Sequence, residues 1–336
     1  MKFGETFSEY LRRDHERFLD KCSHVEYKRL KKVLKKCRVC RAAQQQDGEE
    51  EEDVGKNGSL DLCAFESESC PLCDQIFFAE LTKEASEIAG CFISRVRRLL
   101  HPSDSFGLQR YLWRLRQCFM DDQQIMVQEG RLLLDYITMN AIAIRKILKK
   151  YDKIHRSVNG RKFKTRMRAE HLELLQSPWL IELGAFYINV CGSNIGEPGE
   201  FFRMFSCDLC DTQPRMIMML SDCVIYEYSL TCAICLDTVF NPYALGCGHL
   251  FCKGCACSAA SVLLFQGLKT ASQRAKCPVC REAGVYANAV HMTELDLLVK
   301  NRCKEYWKDR LRGERTEMVK QSKQYWESQT VTAFGY

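Results

Sequence analysis

The chain has 336 residues, 46% hydrophobic and 27% charged with 7 prolines, the make-up of a folded globular protein rather than a disordered or fibrous one. No apolar run approaches the ~18 residues of a spanning helix, and Met1-Lys2-Phe3-Gly4-Glu5 carries charge where a signal peptide would carry its hydrophobic stretch. The reading is therefore of an intracellular, soluble protein without a membrane span, in cytoplasm and/or nucleus, whose 21 cysteines point to metal or thiol chemistry rather than disulfides.

Helices are expected over residues 1–40, where Tyr27, Leu30, Val33, Leu34 and Cys37 recur at helical spacing. The polar, acidic segment 44–61 reads as a loop. A long helix follows, with Phe77, Leu81, Ala85, Ile88, Phe92, Val96 and Leu99 as its apolar stripe and His101-Pro102-Ser103 as its stop. Residues 104–135 read as another helix, and Asn140 as the N-cap of a further one running to Ile154. Short connections between long amphipathic helices favour a bundle. Residues 177–231 read instead as short strands and turns, through runs such as Ile188-Asn189-Val190 and Val224-Ile225-Tyr226. An amphipathic tail helix is expected over 294–327, with Leu295, Leu298, Arg302 and Tyr306 along one side.

Between these lies the pattern Cys232-x2-Cys235-x11-Cys247-x-His249-x2-Cys252-x2-Cys255-x21-Cys277-x2-Cys280. Eight thiolate and imidazole ligands suit two tetrahedral zinc ions, which a module of this size needs to fold securely. A scaffolding zinc ribbon is the plain alternative, and the order of seven cysteines and one histidine argues against it.

This order resembles the RING family, in every ligand. The resemblance implies a cross-brace, with Cys232, Cys235, Cys252 and Cys255 on one zinc and Cys247, His249, Cys277 and Cys280 on the other. It further implies that Ile234 and Pro278 contact a ubiquitin-conjugating enzyme and that Arg281 is the linchpin orienting ubiquitin, with no covalent catalyst. Where many members place a bulky aromatic this chain has Ala259, and Val262, Leu263, Leu264 and Phe265 are the candidates to fill the groove.

The net charge of +6 is concentrated in two helices. Tyr27 and Lys31 share one helical face, and Lys146, Lys149, Lys150 and Lys153 form a second row. A solvated basic face is the ordinary meaning of such rows, and nucleic-acid binding is disfavoured because exposed interleaved aromatics are missing. The blocks MKFGETFSEYL, YKRLKKVLKKC and IRKILKKYDK, however, resemble in order the three blocks of the SPX domain. That resemblance implies an inositol polyphosphate or pyrophosphate ligand held by Tyr27, Lys31 and Lys149, with Lys146, Lys150 and Lys153 adjoining and Lys2 near the free N-terminus.

The fold expected is mainly α: an SPX helical bundle at 1–165, a mixed linker region at 166–231, a small zinc-bound α+β RING at 232–281 and a helical tail at 282–336. The combination is similar to a plant family of SPX–RING ubiquitin ligases. It implies a role in phosphate and nitrogen-limitation homeostasis, with plasma-membrane phosphate transporters as substrates and recruitment to that membrane by the substrate. Two other classes stay open: a non-catalytic phosphate-sensing adaptor with a scaffolding zinc module, and a zinc-stabilised nucleic-acid regulator. The tail, with Trp307 and Trp326, is a candidate for homodimerisation or for docking on the RING. The Cys37/Cys40, Cys70/Cys73 and Cys207/Cys210 pairs are weak candidates for a third metal.

Overall fold

The computed structural model describes residues 3–10, 22–36, 71–101, 120–155, 158–169, 173–193, 205–209, 213–221 and 224–334. They fall into two compact units, one drawn from 1–95 and 131–175 and the other from 96–130 and 176–336. The described residues are mainly helical, with two small sheets among them. Among the described residues no helix is long and apolar enough to cross a membrane.

The first unit is a helical bundle. It holds α1 (Phe3–Tyr10), α2 (Tyr27–Lys36), α3 (Pro71–Leu100) as far as Arg95, α4 (Met120–His155) from Arg131, and α5 (Asn159–Ala169). Every residue of the apolar stripe expected on α3 is buried, as the 3.6-residue period requires of a core-facing side. Tyr151 of α4 stacks on Phe77 at 4.6 Å and donates its hydroxyl to Asp74, whose other oxygen accepts from Asn159 at 2.7 Å. The Asp152 carboxylate accepts from the amides of Gly160 and Arg161 at 2.6 and 3.1 Å and so caps α5. A side chain at Gly160 would meet the Leu148 carbonyl at 2.7 Å, so only glycine permits this approach.

Two expectations are corrected here. Asn140 is no N-cap: α4 is continuous through it, and its buried side chain accepts from Val25 N at 2.9 Å and donates to Tyr136 O at 2.8 Å. It satisfies the chain entering α2 instead of the start of a new helix. Cys22 and Cys91 form a disulfide, which the composition argument did not expect.

In the second unit, α6 (Pro178–Ser193) covers much of what reads as strand, Ile188-Asn189-Val190 included. Its residues Trp179 to Tyr187 are all buried and, Glu182 apart, uncharged, so apolar residues face nearly every side and leave no helical period to detect. The start signal is nonetheless local: Ser177 O accepts from Leu180 N at 3.0 Å, and Pro178 occupies the first helical position. Strands β1 (Phe205–Asp208), β2 (Arg215–Ser221) and β3 (Val224–Ser229) then form an antiparallel sheet in sequence order. Met216 and Met218 line its buried face, and Gly184 of α6 lets Phe205 and Met216 approach within about a side-chain diameter, at 2.7–2.8 Å from where its Cβ would be.

The remaining chain builds a second sheet of order β5-β4-β6, from β4 (Pro242–Ala244), β5 (Leu250–Cys252) and β6 (Val290–His291). The short helix α7 (Lys253–Ala259) follows β5. The tail is two helices, α8 (Thr293–Arg302) and α9 (Lys304–Phe334), not one; Cys303 breaks them at φ −120°, ψ 56°.

Candidate metal centres and their flanking surface

Two hairpins of the same design carry the outer cysteine pairs. In each, the first cysteine donates its amide five residues on: Cys232 N to Asp237 O at 2.8 Å, and Cys277 N to Glu282 O at 2.9 Å. The residue after the second cysteine donates back to the first, Leu236 N to Cys232 O at 2.8 Å and Arg281 N to Cys277 O at 2.9 Å. Closing so tight a loop puts Leu236 and Arg281 in the left-handed region, at φ 61° and 62°. That conformation costs a non-glycine residue about 1–2 kcal/mol, so something at the knuckle must hold it.

The inner ligands come from the β4–β5 hairpin and α7. Gly248, at φ +85°, turns the backbone between Cys247 and His249 so that both face the same point. The donor atoms of Cys232, Cys235, Cys252 and Cys255 lie within 4.8 Å of one another, as do those of Cys247, His249, Cys277 and Cys280. The pairs therefore interleave along the chain. Among the described residues these are the two groups able to hold a metal ion; Cys37, Cys40, Cys70 and Cys210 lie outside them, as does the side chain of Cys73.

The donor spacing tests the identity of the ion. Zinc–sulfur bonds of about 2.3 Å and zinc–nitrogen bonds of about 2.0–2.1 Å in a tetrahedron separate two sulfurs by roughly 3.8 Å and a sulfur from a nitrogen by roughly 3.6 Å. Cys235 Sγ and Cys252 Sγ are 3.8 Å apart, and Cys247 Sγ and His249 Nδ1 are 3.4 Å apart. Both sets fit zinc. Without a cation the first set does not carry its charge evenly: hydrogen bonding with Cys232, then burial, pushes the Cys255 thiol up to about 12, while bonds to Cys252 and Cys255 hold Cys232 low, and in the second set burial raises Cys247. A dication among the sulfurs reverses this and keeps them as thiolates. Backbone amides support them, with Phe240 N donating to Cys252 Sγ at 3.3 Å and Val279 N to Cys277 Sγ at 3.4 Å.

Around the knuckles several apolar side chains face solvent: Ile234, Leu236, Val279 and Phe265 are 41%, 75%, 49% and 37% exposed. Pro278 and Arg281 are exposed beside them, as is Ala259. Of the residues offered as fillers for the missing aromatic, Leu264 is buried, and Phe265 packs edge-on against Tyr325 at 5.5 Å.

Beside Tyr306, expected along one side of the tail, the tail helices supply residues that the sequence reading does not single out, Arg310, Glu314 and Gln321. Tyr306 donates to Thr238 O, Glu314 accepts from Asn241 Nδ2 at 2.8 Å and Gln321 accepts from Leu264 N at 3.0 Å. Arg310, on the same face, reaches the Cys235 and Cys252 sulfurs. The spacing of four between Tyr306, Arg310 and Glu314 was the available signal. Of the two tail tryptophans, Trp307 is half-buried and Trp326 exposed.

In the first unit, Tyr27 is half-buried 6.5 Å from Phe7, while Lys31, Lys146, Lys149 and Lys153 are exposed and Lys150 is half-buried. The Val25–Asn140 hydrogen bond joins the start of α2 to α4 ahead of both lysine rows. Lys2 lies outside the described residues.

Interleaved ligand pairs, twin knuckles and a short helix that carries the second cysteine of the third pair define a RING-type zinc module, and the RING-type zinc-finger family matches residues 232–278. Relatives are similar along the whole chain. A probable E3 ubiquitin-protein ligase BAH1-like 1 of Oryza sativa subsp. japonica is 65% identical over 340 residues, covering 100% of both chains. A probable E3 ubiquitin-protein ligase BAH1-like of Arabidopsis thaliana is 60% identical over 337 residues, again covering 100% of both, and the E3 ubiquitin-protein ligase NLA of that plant is 42% identical over 98% of both. The chain belongs to this family of RING-type E3 ubiquitin-protein ligases. No solved structure matches it.

Proposed function

We propose that the RING knuckles dock a ubiquitin-conjugating enzyme and hold its ubiquitin in an attack-ready pose, while the helical bundle reads an inositol polyphosphate. In this reading Cys232, Cys235, Cys252 and Cys255 hold one zinc ion and Cys247, His249, Cys277 and Cys280 the other. The metal's contribution is structural, fixing two loops that have little core of their own. Ile234 and Pro278 offer apolar contact to the conjugating enzyme. Arg281 bridges enzyme and ubiquitin, because a guanidinium can donate several hydrogen bonds at once. The acceleration is then one of orientation, and the substrate lysine attacks a thioester already aligned. The observation that carries this reading is the exposure of Arg281 on a knuckle whose backbone is fixed at positive φ.

The SPX reading extends this to Tyr27, Lys31 and Lys149, with Lys2, Lys146, Lys150 and Lys153 around them, as the anion site. Multiple ammonium groups on two helices suit a ligand carrying several phosphates, and their exposure supports it. Phosphate transporters of the plasma membrane are the substrates that the family resemblance implies.

The test is discharge of a thioester-charged conjugating enzyme by the full-length, zinc-loaded protein. Arg281→Ala should slow discharge about 10-fold or more, the cost of losing a charge-assisted bridge, with zinc content unchanged. Undiminished discharge would remove Arg281 from the mechanism. Calorimetry with inositol hexakisphosphate should show binding that weakens with salt and falls with Lys149→Ala; equal binding by that variant rejects the anion site.

A further inference from the structure

The first metal set has a neighbour that belongs to no RING ligand. Arg310 lies midway in the docked stretch of α9, and one of its terminal nitrogens is 3.7 Å from Cys235 Sγ and 3.7 Å from Cys252 Sγ. The other terminal nitrogen pairs with Asp237 at 3.4 Å, and the guanidinium carbon sits 5.9 Å over the Phe240 ring. Two thiolate contacts, one carboxylate and one aromatic face fix the planar group from several sides.

We infer that Arg310 is a positioning residue for the first zinc site, its guanidinium bridging the Cys235 and Cys252 sulfurs so that the tail helix sets how tightly that ion is held. This rests on the zinc reading of the site. Cys235 belongs to the first knuckle and Cys252 to the end of β5, so the bridge spans the two halves of the ligand set and restrains their separation. Charge adds to geometry. Four thiolates around a dication leave a net charge of about −2, whereas three thiolates and a neutral imidazole leave about −1. The first site therefore has the greater excess of negative charge, and a permanent cation is donated there. N–H donation to a thiolate withdraws electron density from sulfur, which slows its protonation and its attack on electrophiles, the two routes by which such a site loses its ion. A lysine at this position would place one compact ammonium where the guanidinium has a rigid fork.

Arg310 does not hold the helix down alone. Tyr306 and Glu314 bond to Thr238 and Asn241 one turn to either side. Replacing Arg310 should therefore weaken the metal site with α9 still docked.

The experiment uses the full-length protein, with zinc counted by elemental analysis and its release to a chromogenic chelator followed after addition of an organomercurial. The wild type should hold two zinc ions per chain. In Arg310→Ala one of them should leave about 10–100-fold faster, the range for lost support of a metal ligand, and the other at the wild-type rate. Arg310→Lys should fall between, and Arg312→Ala, whose guanidinium instead pairs with Asp309, should match the wild type. In cobalt-substituted protein the sulfur-to-metal charge-transfer band should shift in the Arg310 variants alone. A merely structural loss would not move that band while Trp307 fluorescence reports a docked helix. Should Arg310→Ala fail to fold, Arg310→Lys carries the same comparison. Two zinc ions leaving Arg310→Ala at wild-type rates, with an unshifted cobalt band, overturns the role of Arg310 and leaves the zinc reading standing. A well-folded wild type with no zinc in the first site overturns both.

Discussion

Glu182 is fully buried on α6, and its replacement is the sharpest test of how the second unit is assembled. One carboxylate oxygen accepts from His101 Nε2 at 2.9 Å and from Glu294 N at 2.8 Å, and the other from Leu295 N at 3.1 Å. The two amides are orphan donors of the first turn of α8, whose N-cap residue Met292 makes no side-chain cap bond. A distant helix thus supplies the cap. Glu182→Ala strands two buried amides and an imidazole. Losing a cap costs about 1 kcal/mol, and breaking a buried charged network from one side about 3–5 kcal/mol, so the expected loss is roughly 4 kcal/mol. For a unit of this size each kcal/mol is worth roughly 2–4 °C, giving a midpoint lower by roughly 8–16 °C. Glu182→Gln keeps one acceptor oxygen and should lose about half as much. The assay is thermal and urea unfolding of the full-length, zinc-loaded protein followed by tryptophan fluorescence, since Trp179 lies on α6 and Trp307 on α9. A loss below about 1 kcal/mol in Glu182→Ala, or equal losses in both variants, would refute the capping role, because a capping bond alone is worth about that much.

Two further outcomes follow from backbone and charge. Gly248→Ala forces a side chain into φ +85° and brings it 3.4 Å from Pro178 Cδ, so the second zinc site should lose about 1–2 kcal/mol, roughly a 5–30-fold weaker hold in chelator competition, with the first site unaffected. In the first unit, burial pushes the Glu84 carboxyl from 4.5 up to about 7, against the Glu26 amide bond and nearby Arg29, which lower it, and with Glu26 and Glu80 adding to the rise. The folded state therefore holds a proton that the unfolded chain has released: the stability this contributes is full below pH 4.5 and is lost as pH rises through 7. Glu84→Gln should flatten that decline and leave the variant more stable than wild type at pH 8, by up to roughly 3 kcal/mol in urea titrations; an unchanged pH profile would count against the shift.

The two clusters able to hold a metal were legible in the sequence because metal coordination demands particular elements at particular spacings, and three Cys-x2-Cys pairs around one Cys-x-His leave few arrangements. The α3 stripe was legible for a similar reason, since one buried side imposes one period. The misread elements lacked such a local signature. Helix α6 is apolar on all sides, so its sequence looks like a buried strand until Ser177-Pro178 is weighed as a start. Asn140 has the chemistry of a cap, but its partner is Val25, brought to it by the fold from far along the chain. Glu182 and Arg310 share this character: a carboxylate that caps a helix more than a hundred residues away leaves no trace in the residues beside it, and of a guanidinium that meets two cysteines only the four-residue spacing of Tyr306, Arg310 and Glu314 gives a hint.

Those distant partners explain how so small a zinc module is held rigid. Its apolar interior is slight, and the flanking helices complete it. Phe240 packs against Trp307 at 5.9 Å, Met292 N donates to Pro242 O at 2.9 Å, and Asp296 Oδ1 accepts both from Asn241 N at 3.2 Å and from Trp307 Nε1 at 3.1 Å. One carboxylate on α8 thereby joins the entry to β4 with the start of α9. A ligase that works by orientation needs its knuckles fixed to within a fraction of an ångström, because a misplacement of about 1 Å can cost about 100-fold in rate. On the proposed orientation mechanism, the residues before and after the RING would belong to its working part, through the bonds that Glu182, Asp296 and Arg310 make to it and to its flanking helices.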